Sequence, residues 1–302
     1  MDISAIIIHF GKAEYTSHVL ECLLSVRDTE LECIVVDNAS SSSPAAALRE
    51  APRTRVLRIE HSRGYGAACN AGAALARGRY ILILNNDLDI PAGSVEALRE
   101  TMDAHPEVGV LGPMLRFPDG RFQLSWGDDP DLGSEFRERG RQRRSRAGGI
   151  VLDRERATTA MRDADWITGA VMLIRREAWE AVGGFDESFY FYFEDVDLCR
   201  RVRTAGYKVA CQPASAMVHF GGGSDPQANP EIVRAYRREQ LRYYARYNSF
   251  AQFSALKVYL IAKFSIAAVR GTMLLSDVRQ LLKQIAIFSR TSERQHARRQ
   301  DV

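Results

Sequence analysis

The sequence predicts an α/β protein with a mostly parallel central sheet, flanking helices and a C-terminal helical extension. Short apolar runs rich in β-branched residues, such as residues 3–10 and 80–84, are typical of strands that are buried on both faces. These runs alternate with segments whose apolar residues recur at helical spacing. The alternation predicts βαβ units and therefore parallel strands.

The first 112 residues follow this alternation without interruption. Residues 31–37, 55–60 and 108–112 are the further predicted strands of this half. Helices are predicted over 19–26, where apolar residues recur at i, i+3, i+4 and i+7, and over the small-residue segment 66–78. A third helix follows Ser94.

The pattern changes after residue 112. A hairpin is predicted around Pro118, Asp119 and Gly120, because this tripeptide favours a turn. A strand and a short, glycine-terminated helix precede a second helix over 195–205. A last strand at 208–213 then leads into a glycine-rich loop, and the chain beyond residue 230 is predicted to be helical.

Composition and charge are those of a globular protein with an ample core. Of the 302 residues, 46% are hydrophobic and 26% are charged, and the net charge is only +3. The charge is concentrated in six arginines between Arg137 and Arg146, predicted to be a solvated loop, and in the basic C-terminal tail. We expect no nucleic-acid partner.

Cysteine usage and the N-terminus favour the cytoplasm. The five cysteines are odd in number and none is spaced as C-x-x-C, so we expect buried reduced thiols rather than a disulfide framework or a zinc site. Residues 1–10 have an acid at position 2 and no basic segment before the apolar run, unlike a signal peptide.

The C-terminal helical segment is strongly apolar but contains Lys257, Lys263, Arg270 and Arg279. These charges leave no uninterrupted apolar window of the roughly 18 residues that a membrane span needs. Two interpretations remain open. The segment is either an amphipathic surface that lies on a membrane or docks on a partner, including a second copy of the chain, or a helical hairpin folded onto its own domain.

Polar side chains recur at the carboxyl ends of the predicted strands, where open parallel sheets bind ligands. A single acid there usually forms a turn, but several at one edge indicate a site. A carboxylate that follows a buried strand can hold a divalent cation, which then binds phosphate oxygens. The residues concerned are His9, Asp37, Asn70, Asn85, Asn86, Asp87 and Asp89.

Five stretches of the chain resemble glycosyltransferase family 2, the inverting GT-A type, and most closely its bacterial rhamnosyltransferase branch. They occur in the family's order and cover most of residues 3–224. The resemblance implies a GT-A (Rossmann-like) domain over 1–225, with a nucleotide-sugar-binding half at 1–112 and an acceptor and catalytic half at 113–225. Residues 226–302 would form a helical, amphipathic, basic tail. The stretches are IIIHFGKAEY, CIVVDNASS, RGYGAACNAGAALARGRYILILNND, the segment DWITG…GYKV at 165–209, and VHFGGGS.

The resemblance implies donor-binding roles near the strand ends. Asp37 matches the carboxylate that accepts a hydrogen bond from a pyrimidine base, and Asn70 matches a helix position facing the nucleotide. The family's D-x-D falls on Asn85, Asn86 and Asp87, so its first acid is replaced by Asn. His9 and Gly11 also depart from the family's usual residues, which affects base recognition.

The same resemblance implies a metal site for Mn²⁺ or Mg²⁺. Its ligands would be Asp87 and His219, with glycines following the histidine. Asp89 falls at a variable position, and we expect it to be an ordinary loop acid. A packed strand-end histidine is the alternative for His219.

The acidic segment after the aromatic run FYFYF matches the family's catalytic pair. Glu194 and Asp195 fall on this pair, and Asp195 on the catalytic base, although acids in a first helical turn also serve as caps. Neighbouring aromatic rings would raise its proton affinity. Asp197 lies four residues before Arg201, which predicts a structural ion pair. The segment lining donor sugar and acceptor falls on Trp166, Gly169 and Ala170.

The implied activity is metal-dependent, inverting transfer of a sugar from a nucleotide-diphosphate donor. The resemblance favours L-rhamnose from dTDP-rhamnose, and a saccharide or polyprenyl-diphosphate-linked acceptor. With the basic tail, it suggests a peripheral enzyme on an anionic membrane surface at the cytoplasmic face. The alternatives are a non-catalytic nucleotide-sugar-binding scaffold and a nucleotidyltransferase, although Gly11 and Lys12 offer little of the phosphate loop that the latter needs.

Overall fold

A computed structural model describes residues 1–41, 43, 48, 51–134, 160–221, 229–291 and 293. These residues form two compact units. The first unit contains the described residues up to Asp129, then 160–190 and 194–221. The second contains 130–134, 191–193 and the described residues from 229 onward.

The first unit alternates strands and helices as the sequence predicts. Its strands are β1 (Ile3–His9), β2 (Leu31–Asn38), β3 (Thr54–Ile59), β4 (Tyr80–Asn85), β5 (Leu88–Asp89), β6 (Val108–Arg116), β7 (Phe122–Gln123), β8 (Trp126–Gly127), β9 (Arg162–Asp163), β10 (Trp166–Ile167), β11 (Val171–Arg175) and β12 (Lys208–His219). Its helices are α1 (Ala13–Leu24), α2 (Tyr65–Ala73), α3 (Ser94–Ala104), α4 (Arg176–Val182) and α5 (Glu194–Thr204).

One large sheet organises this unit, with strand order β3-β2-β1-β4-β11-β6-β12-β5. Strands β1 to β4 are mutually parallel, and β12 is parallel to β6. β11 runs antiparallel to both of its neighbours, and β5 is antiparallel to β12. The mostly parallel sheet is therefore confirmed, with one reversed strand at its centre.

Burial explains why these runs form central strands. All seven residues of β1 are buried, and the side chains that alternate along it belong to two separate apolar cores, one on each face of the sheet. The register pairs His9 with Asp37 and Ile8 with Asn85. The polar residues that follow the apolar runs of β1, β2 and β4 therefore reach the same edge together.

Several predicted boundaries differ from the structure. β6 runs to Arg116 rather than residue 112, and α1 spans Ala13–Leu24 rather than 19–26. β12 extends to His219 instead of ending at Pro213, with a register shift between Gln212 and Met217 where proline offers no N–H to the ladder. α2 ends at Ala73 rather than Gly78. The predicted hairpin is confirmed, since Leu115 pairs with Gln123 and Gly120 adopts a φ of 80° in the turn.

The second unit is helical, as the sequence predicts beyond residue 230. Its helices are α6 (Pro230–Tyr247), α7 (Phe250–Val269) and α8 (Leu275–Ile287). Asn229 caps α6, and Ser249 with Gln252 forms a capping box at the start of α7. The apolar residues Phe253, Leu256, Leu260 and Phe264 form the buried face of α7. These residues recur at helical spacing, so they lie on one face of α7.

All five cysteines are free thiols, in agreement with the sequence, and Cys22 is the one that is half-exposed. The arginine-rich segment 137–146 lies outside the described residues. The predicted domain limits at residues 112 and 225 stay predictions.

Candidate active site

The carboxyl edge of β1, β2 and β4 carries a connected set of polar groups. His9 and Thr16 are buried, and their side chains are 2.6 Å apart, between Nδ1 and Oγ1. The Asn86 amide donates to Thr16 Oγ1 over 3.1 Å and to the Phe10 carbonyl over 3.0 Å. These contacts fix the loop that follows β4, since they tie it to the end of β1 and the first turn of α1.

Asp37 is a buried carboxylate with a cation beside it. Arg58 donates to its Oδ2 over 2.6 Å, and the backbone N–H of Ser40 donates to Oδ1 over 3.0 Å. Burial raises the pKa of the Asp37 carboxyl, but hydrogen bonds from Ser43, Ser40 and Arg58 outweigh burial and leave this pKa below its ordinary value. Asp37 therefore stays ionised and suits a hydrogen-bond acceptor.

The structure brings Asp87 and His219 together from distant parts of the chain. Antiparallel pairing of β12 with β5 sets His219 opposite Leu88, and the Phe220 N–H donates to the Asp87 carbonyl over 2.9 Å. As a result, His219 Nε2 lies 3.0 Å from Asp87 Oδ1, and both side chains are largely buried.

The contacts of His219 suit a divalent metal ion. Its Nδ1 lies 3.1 Å from the Gln123 Oε1, and an amide oxygen can only accept, so Nδ1 carries a proton. Nε2 then faces Asp87, with the Asn85 amide 3.2 Å away. An imidazole nitrogen and a carboxylate oxygen at this separation need a proton or a cation between them, and both are ligands for Mn²⁺ or Mg²⁺. The histidine is also oriented by a second group, as metal-binding histidines usually are.

Asp195 lies in the first turn of α5, and no cation is among the groups that shift its pKa. The backbone N–H of Gly169 donates to its Oδ2 over 2.8 Å, and the N–H of Val196 donates to Oδ1 over 2.8 Å. Burial raises the pKa of the Asp195 carboxyl above its ordinary value, although the Gly169 and Val196 hydrogen bonds oppose this effect. The residue keeps some exposed surface. Asp195 is thus a partly buried carboxylate whose proton affinity is increased.

Two consecutive residues connect Asp195 to the end of β4, which precedes Asp87. The Gly169 backbone N–H donates to Asp195, and the next carbonyl, that of Ala170, accepts a hydrogen bond of 2.9 Å from the backbone N–H of Asn85. The Tyr65 hydroxyl donates to the Gly169 carbonyl over 2.7 Å. The dipeptide Gly169–Ala170 thus links Asp195 to Asn85 by hydrogen bonds, and these positions come from distant segments of the chain.

Glu194 precedes Asp195 and is buried. It lies close to Cys69, because the Glu194 carboxylate adds to the effect of burial in raising the pKa of the Cys69 thiol. Burial raises the pKa of the Tyr65 hydroxyl, and the carboxylates of both Glu194 and Asp195 add to this effect. Both neighbouring acids therefore lie near Tyr65.

The predicted ion pair of Asp197 is confirmed. Arg201 donates to Asp197 Oδ2 over 2.7 Å, and the carboxylate is fully buried. The same guanidinium donates to the carbonyls of Val182 and Gly184, both over 2.8 Å. The ion pair of Asp197 and Arg201 therefore anchors α5 to the end of α4. The Asp197 carboxylate has a structural role in this pair.

Asn70 and Trp166 make local structural contacts. The Asn70 side chain accepts from the Phe185 N–H and donates to the Phe185 carbonyl, both over 2.9 Å, which ties α2 to the loop before the aromatic run. Trp166 is half-buried beside Gly127, and its indole N–H donates to the Asp128 carbonyl over 3.0 Å. Their predicted roles toward donor and acceptor remain predictions.

The five aromatic residues before Glu194 differ in burial and in backbone conformation. Phe189 and Phe193 are buried, whereas Tyr190 is 46% exposed. Tyr192 and Phe193 adopt φ values of 75° and 65°, a region that is costly for bulky residues and occurs most often at functional sites. In the second unit, Phe193 packs against Tyr236 and Tyr243.

Four supporting residues were not found from the sequence. Arg58 and Thr16 lack any motif, and Gln123 becomes relevant only when the hairpin is folded beside β12. Tyr65 did carry a signal, because it lies inside the stretch RGYGAACN that resembles the family.

Comparison with known proteins agrees with this geometry. The model of glycosyl transferase family 2 matches residues 4–168, which is more than half of the chain. A second family model, described as the N-terminal domain of galactosyltransferase, matches residues 156–221.

Curated relatives include bacterial rhamnosyltransferases. The N-acetylglucosaminyl-diphospho-decaprenol L-rhamnosyltransferase of Mycobacterium tuberculosis is 28% identical over 239 residues, covering 74% of this chain and 78% of its own. Rhamnosyltransferase WbbL of Escherichia coli is 33% identical over 82 residues, covering 27% of this chain and 31% of its own.

Solved structures share the fold at low sequence identity. The mannosyltransferase PcManGT of Pyrobaculum calidifontis, in complex with GDP-Man and Mn²⁺, has a TM-score of 0.56 at 16% identity, covering 94% of this chain and 84% of its own. S. aureus TarS 1-349 in complex with UDP has a TM-score of 0.56 at 17% identity, covering 94% and 80%. With its GT-A fold and a match over more than half of its length, this chain belongs to glycosyl transferase family 2 and is a glycosyltransferase.

Proposed function

We propose that the protein is a metal-dependent, inverting glycosyltransferase that moves L-rhamnose from dTDP-rhamnose to a saccharide on a polyprenyl diphosphate. The observation that carries the proposal is the Gly169–Ala170 link, because it couples Asp195 to the loop of Asn85 and Asp87. Sugar transfer needs a base and a phosphate-binding group held in fixed relation, and this link supplies that relation.

The donor assignment rests on relatives. The M. tuberculosis and E. coli proteins are rhamnosyltransferases by name, and the first aligns over three quarters of this chain. Asp37 supports a nucleotide with a base N–H to donate, since its ionised carboxylate accepts hydrogen bonds. Asn70, His9, Asn85 and Asn86 are the remaining donor-side positions in this proposal.

Asp87 and His219 would hold Mn²⁺ or Mg²⁺, through one carboxylate oxygen and Nε2. The bound ion would supply charge neutralisation for the leaving nucleoside diphosphate. The protein's own part is to keep both ligands in place. Gln123 orients the histidine ring, and the Thr16 and Phe10 contacts of Asn86 hold the preceding loop.

Asp195 is the proposed base. Its carboxylate takes the proton from the acceptor hydroxyl while the hydroxyl oxygen attacks the anomeric carbon, and the bond to the departing diphosphate breaks on the opposite face. One displacement inverts the anomeric configuration. The backbone amides of Gly169 and Val196 orient the carboxylate, while burial raises its proton affinity. Glu194, Trp166 and Gly169 line this side in the proposal.

The second unit supports a lipid-linked acceptor. Contrary to the expectation drawn from Lys257 and Lys263, α7 is long and apolar enough to cross a membrane by length and composition, and 22% of this stretch is buried. We propose that it lies on the surface of an anionic bilayer at the cytoplasmic face. Exposed large apolar residues of α7 and its neighbours are Phe250, Val258, Ile261, Ile266, Val269, Leu274, Leu275 and Ile287.

Basic residues among these apolar side chains fit an anionic surface. Arg270, Arg279 and Lys283 are exposed. Each basic residue near an anionic bilayer contributes about 1 kcal/mol, so a few of them hold a peripheral protein reversibly. A homo-oligomer through the same helices is the alternative use of this surface.

The alternatives from the sequence are less well supported. A nucleotidyltransferase disagrees with membership of family 2. A non-catalytic scaffold would have no need for Asp87, His219 and Asp195 in the contacts described.

The reaction is tested by a donor panel that measures nucleoside diphosphate release with a polyprenyl-diphosphate saccharide. We expect dTDP-rhamnose to give the highest turnover, chelator to abolish it, and Mn²⁺ or Mg²⁺ to restore it. Full turnover in excess chelator would contradict the metal assignment. Turnover with a different nucleotide sugar would support the glycosyltransferase activity and contradict the assignment of dTDP-rhamnose as the donor.

The membrane proposal is tested by co-sedimentation with anionic vesicles over a salt series. Replacing Arg270, Arg279 and Lys283 by Gln should reduce binding, because it removes about 3 kcal/mol of attraction. The matched control replaces the exposed basic residues Arg63, Arg121 and Lys208 of the first unit by Gln and should bind as wild type. Wild-type protein that stays in the supernatant at low salt would contradict membrane binding.

A further inference from the structure

Three metal-ligating side chains other than the Asp87–His219 pair cluster between α1 and β5. His18 Nε2 lies 2.9 Å from Asp89 Oδ1 and 3.8 Å from Cys22 Sγ. The three ligand atoms all lie within 4.8 Å of one another. His18 and Asp89 are about half-exposed, at 45% and 46%, and Cys22 is half-buried. Proposed sugar transfer uses none of these side chains.

Local geometry accounts for the cluster. His18 and Cys22 are four residues apart on α1, so their side chains project from one face of the helix. Asp89 ends β5 and approaches from a different element. Helical spacing thus provides a two-residue chelate, and the sheet supplies the third ligand.

The ligand types and separations suit zinc. Thiolate, imidazole and carboxylate are all zinc ligands, and tetrahedral coordination with Zn–S of about 2.3 Å and Zn–N of about 2.0 Å places ligand atoms roughly 3.3–3.6 Å apart. The distances of 2.9 and 3.8 Å bracket that range, so small side-chain rotations would admit the ion. Magnesium, by contrast, prefers oxygen ligands and octahedral geometry.

We propose that His18, Cys22 and Asp89 form a zinc site with a fourth position open to solvent. Bound zinc would link α1 to β5, the strand that starts immediately after Asp87 and pairs with β12 beside His219. The ion would therefore stiffen the segment that carries the candidate donor-metal ligands. The site itself does not depend on the proposed reaction.

The test is a Co²⁺ titration of the reduced full-length protein in excess Mg²⁺, followed by absorption spectroscopy. A cobalt–thiolate bond gives an intense near-ultraviolet charge-transfer band, whereas Co²⁺ on Asp87 and His219 gives none. We expect one equivalent of Co²⁺ to produce the band and Zn²⁺ to displace it. The variants His18→Ala and Asp89→Asn should weaken Co²⁺ affinity at least roughly tenfold.

Three variants separate this site from other metal binding. Cys22→Ser should remove the band, while Asp87→Asn and His105→Ala should keep it. His105 is a matched control because it is another exposed histidine beside an acid, 3.3 Å from Glu107, with no sulfur in the pair. Absence of the band in the wild type, or its persistence in Cys22→Ser, would overturn the proposal.

Discussion

Asp37 and Asp195 are both acids at the candidate site, yet their environments move their pKa values in opposite directions. Asp37 has the Arg58 guanidinium 2.6 Å away, whereas Asp195 is held by two backbone amides. The pKa of Asp37 is lowered and that of Asp195 is raised. Burial raises both pKa values. At Asp37 the hydrogen bonds from Ser43, Ser40 and Arg58 outweigh burial, whereas at Asp195 the Gly169 and Val196 N–H groups do not.

The comparison separates a binding carboxylate from a proton-accepting one. An acid held by several hydrogen bonds, as Asp37 is by Ser43, Ser40 and Arg58, stays ionised, which suits accepting a hydrogen bond from the sugar nucleotide. An acid whose pKa is raised is the better general base near neutral pH. The region after β2 is therefore suited to recognition, and the start of α5 to chemistry.

The largest expected effect comes from Asp195→Asn. Removing the base should lower turnover by about 10²–10⁴-fold, while donor affinity stays within a few-fold because the base acts mainly in the transition state. Turnover assays and donor calorimetry on the same preparation measure both quantities. Loss of donor binding in this variant would reassign Asp195 to recognition.

Asp197→Asn provides the matched comparison two residues away. Asp197 is fully buried and paired with Arg201, so the substitution should lower the free energy of unfolding by about 3 kcal/mol, the lower end for a broken buried ion pair. Turnover per folded molecule should be retained, in contrast with Asp195→Asn. Denaturant unfolding and activity assays distinguish the two variants. An Asp197→Asn protein of wild-type stability would show that the pair is not structural.

Arg58→Leu tests the other side of the comparison and should have the smallest effect. Arg58 is 37% exposed, so solvent screens the pair and we expect about 1.5 kcal/mol of destabilisation at neutral pH. The lowered pKa of Asp37 stabilises the fold above the pKa of the unfolded chain, and this stabilisation is lost as pH falls through the folded pKa. The difference between variant and wild type should therefore shrink in acid.

Arg55→Leu is the control for Arg58→Leu. Arg55 lies on the same strand, is equally exposed, and pairs with Glu32 over 2.6 Å at the opposite end of β2. It should destabilise the protein to a similar extent without changing donor affinity, whereas Arg58→Leu should weaken donor binding. Equal donor affinities for both variants would remove Asp37 from the donor site.

The first half of the fold could be predicted from the sequence because short stretches of residues determine its strands and helices. Continuous apolar runs such as that of β1 identify doubly buried strands, and helical spacing identifies α1, so the parallel sheet follows from short-range patterns. β12 was harder. Its predicted end at Pro213 reflects a real break in pairing, but pairing resumes at Met217 because β6 lies alongside.

In the candidate site, too, contacts within one element could be predicted from the sequence and contacts between distant elements could not. The ion pair of Asp197 and Arg201 follows from helical spacing alone. The positions of Asp87, His219 and Asp195 came from resemblance, and their partners Gln123 and Gly169 depend on tertiary pairing. The proposed zinc cluster of His18, Cys22 and Asp89 could not be found from cysteine spacing, because only one of its three ligands is a cysteine. Spacing detects ligands on one helix but not a third ligand from a distant strand.

The most direct measurement of the opposed pKa values is a carboxyl-carbon NMR titration of isotope-labelled protein, with Asp195→Asn and Asp37→Asn assigning the two resonances. The account predicts that Asp195 titrates above the ordinary range of aspartic acid and Asp37 below it. Relative to the unfolded chain, folding raises the proton affinity of Asp195 and lowers that of Asp37. Asp195 titrating at or below Asp37 would contradict the assignment of Asp195 as the base and Asp37 as the donor-binding group.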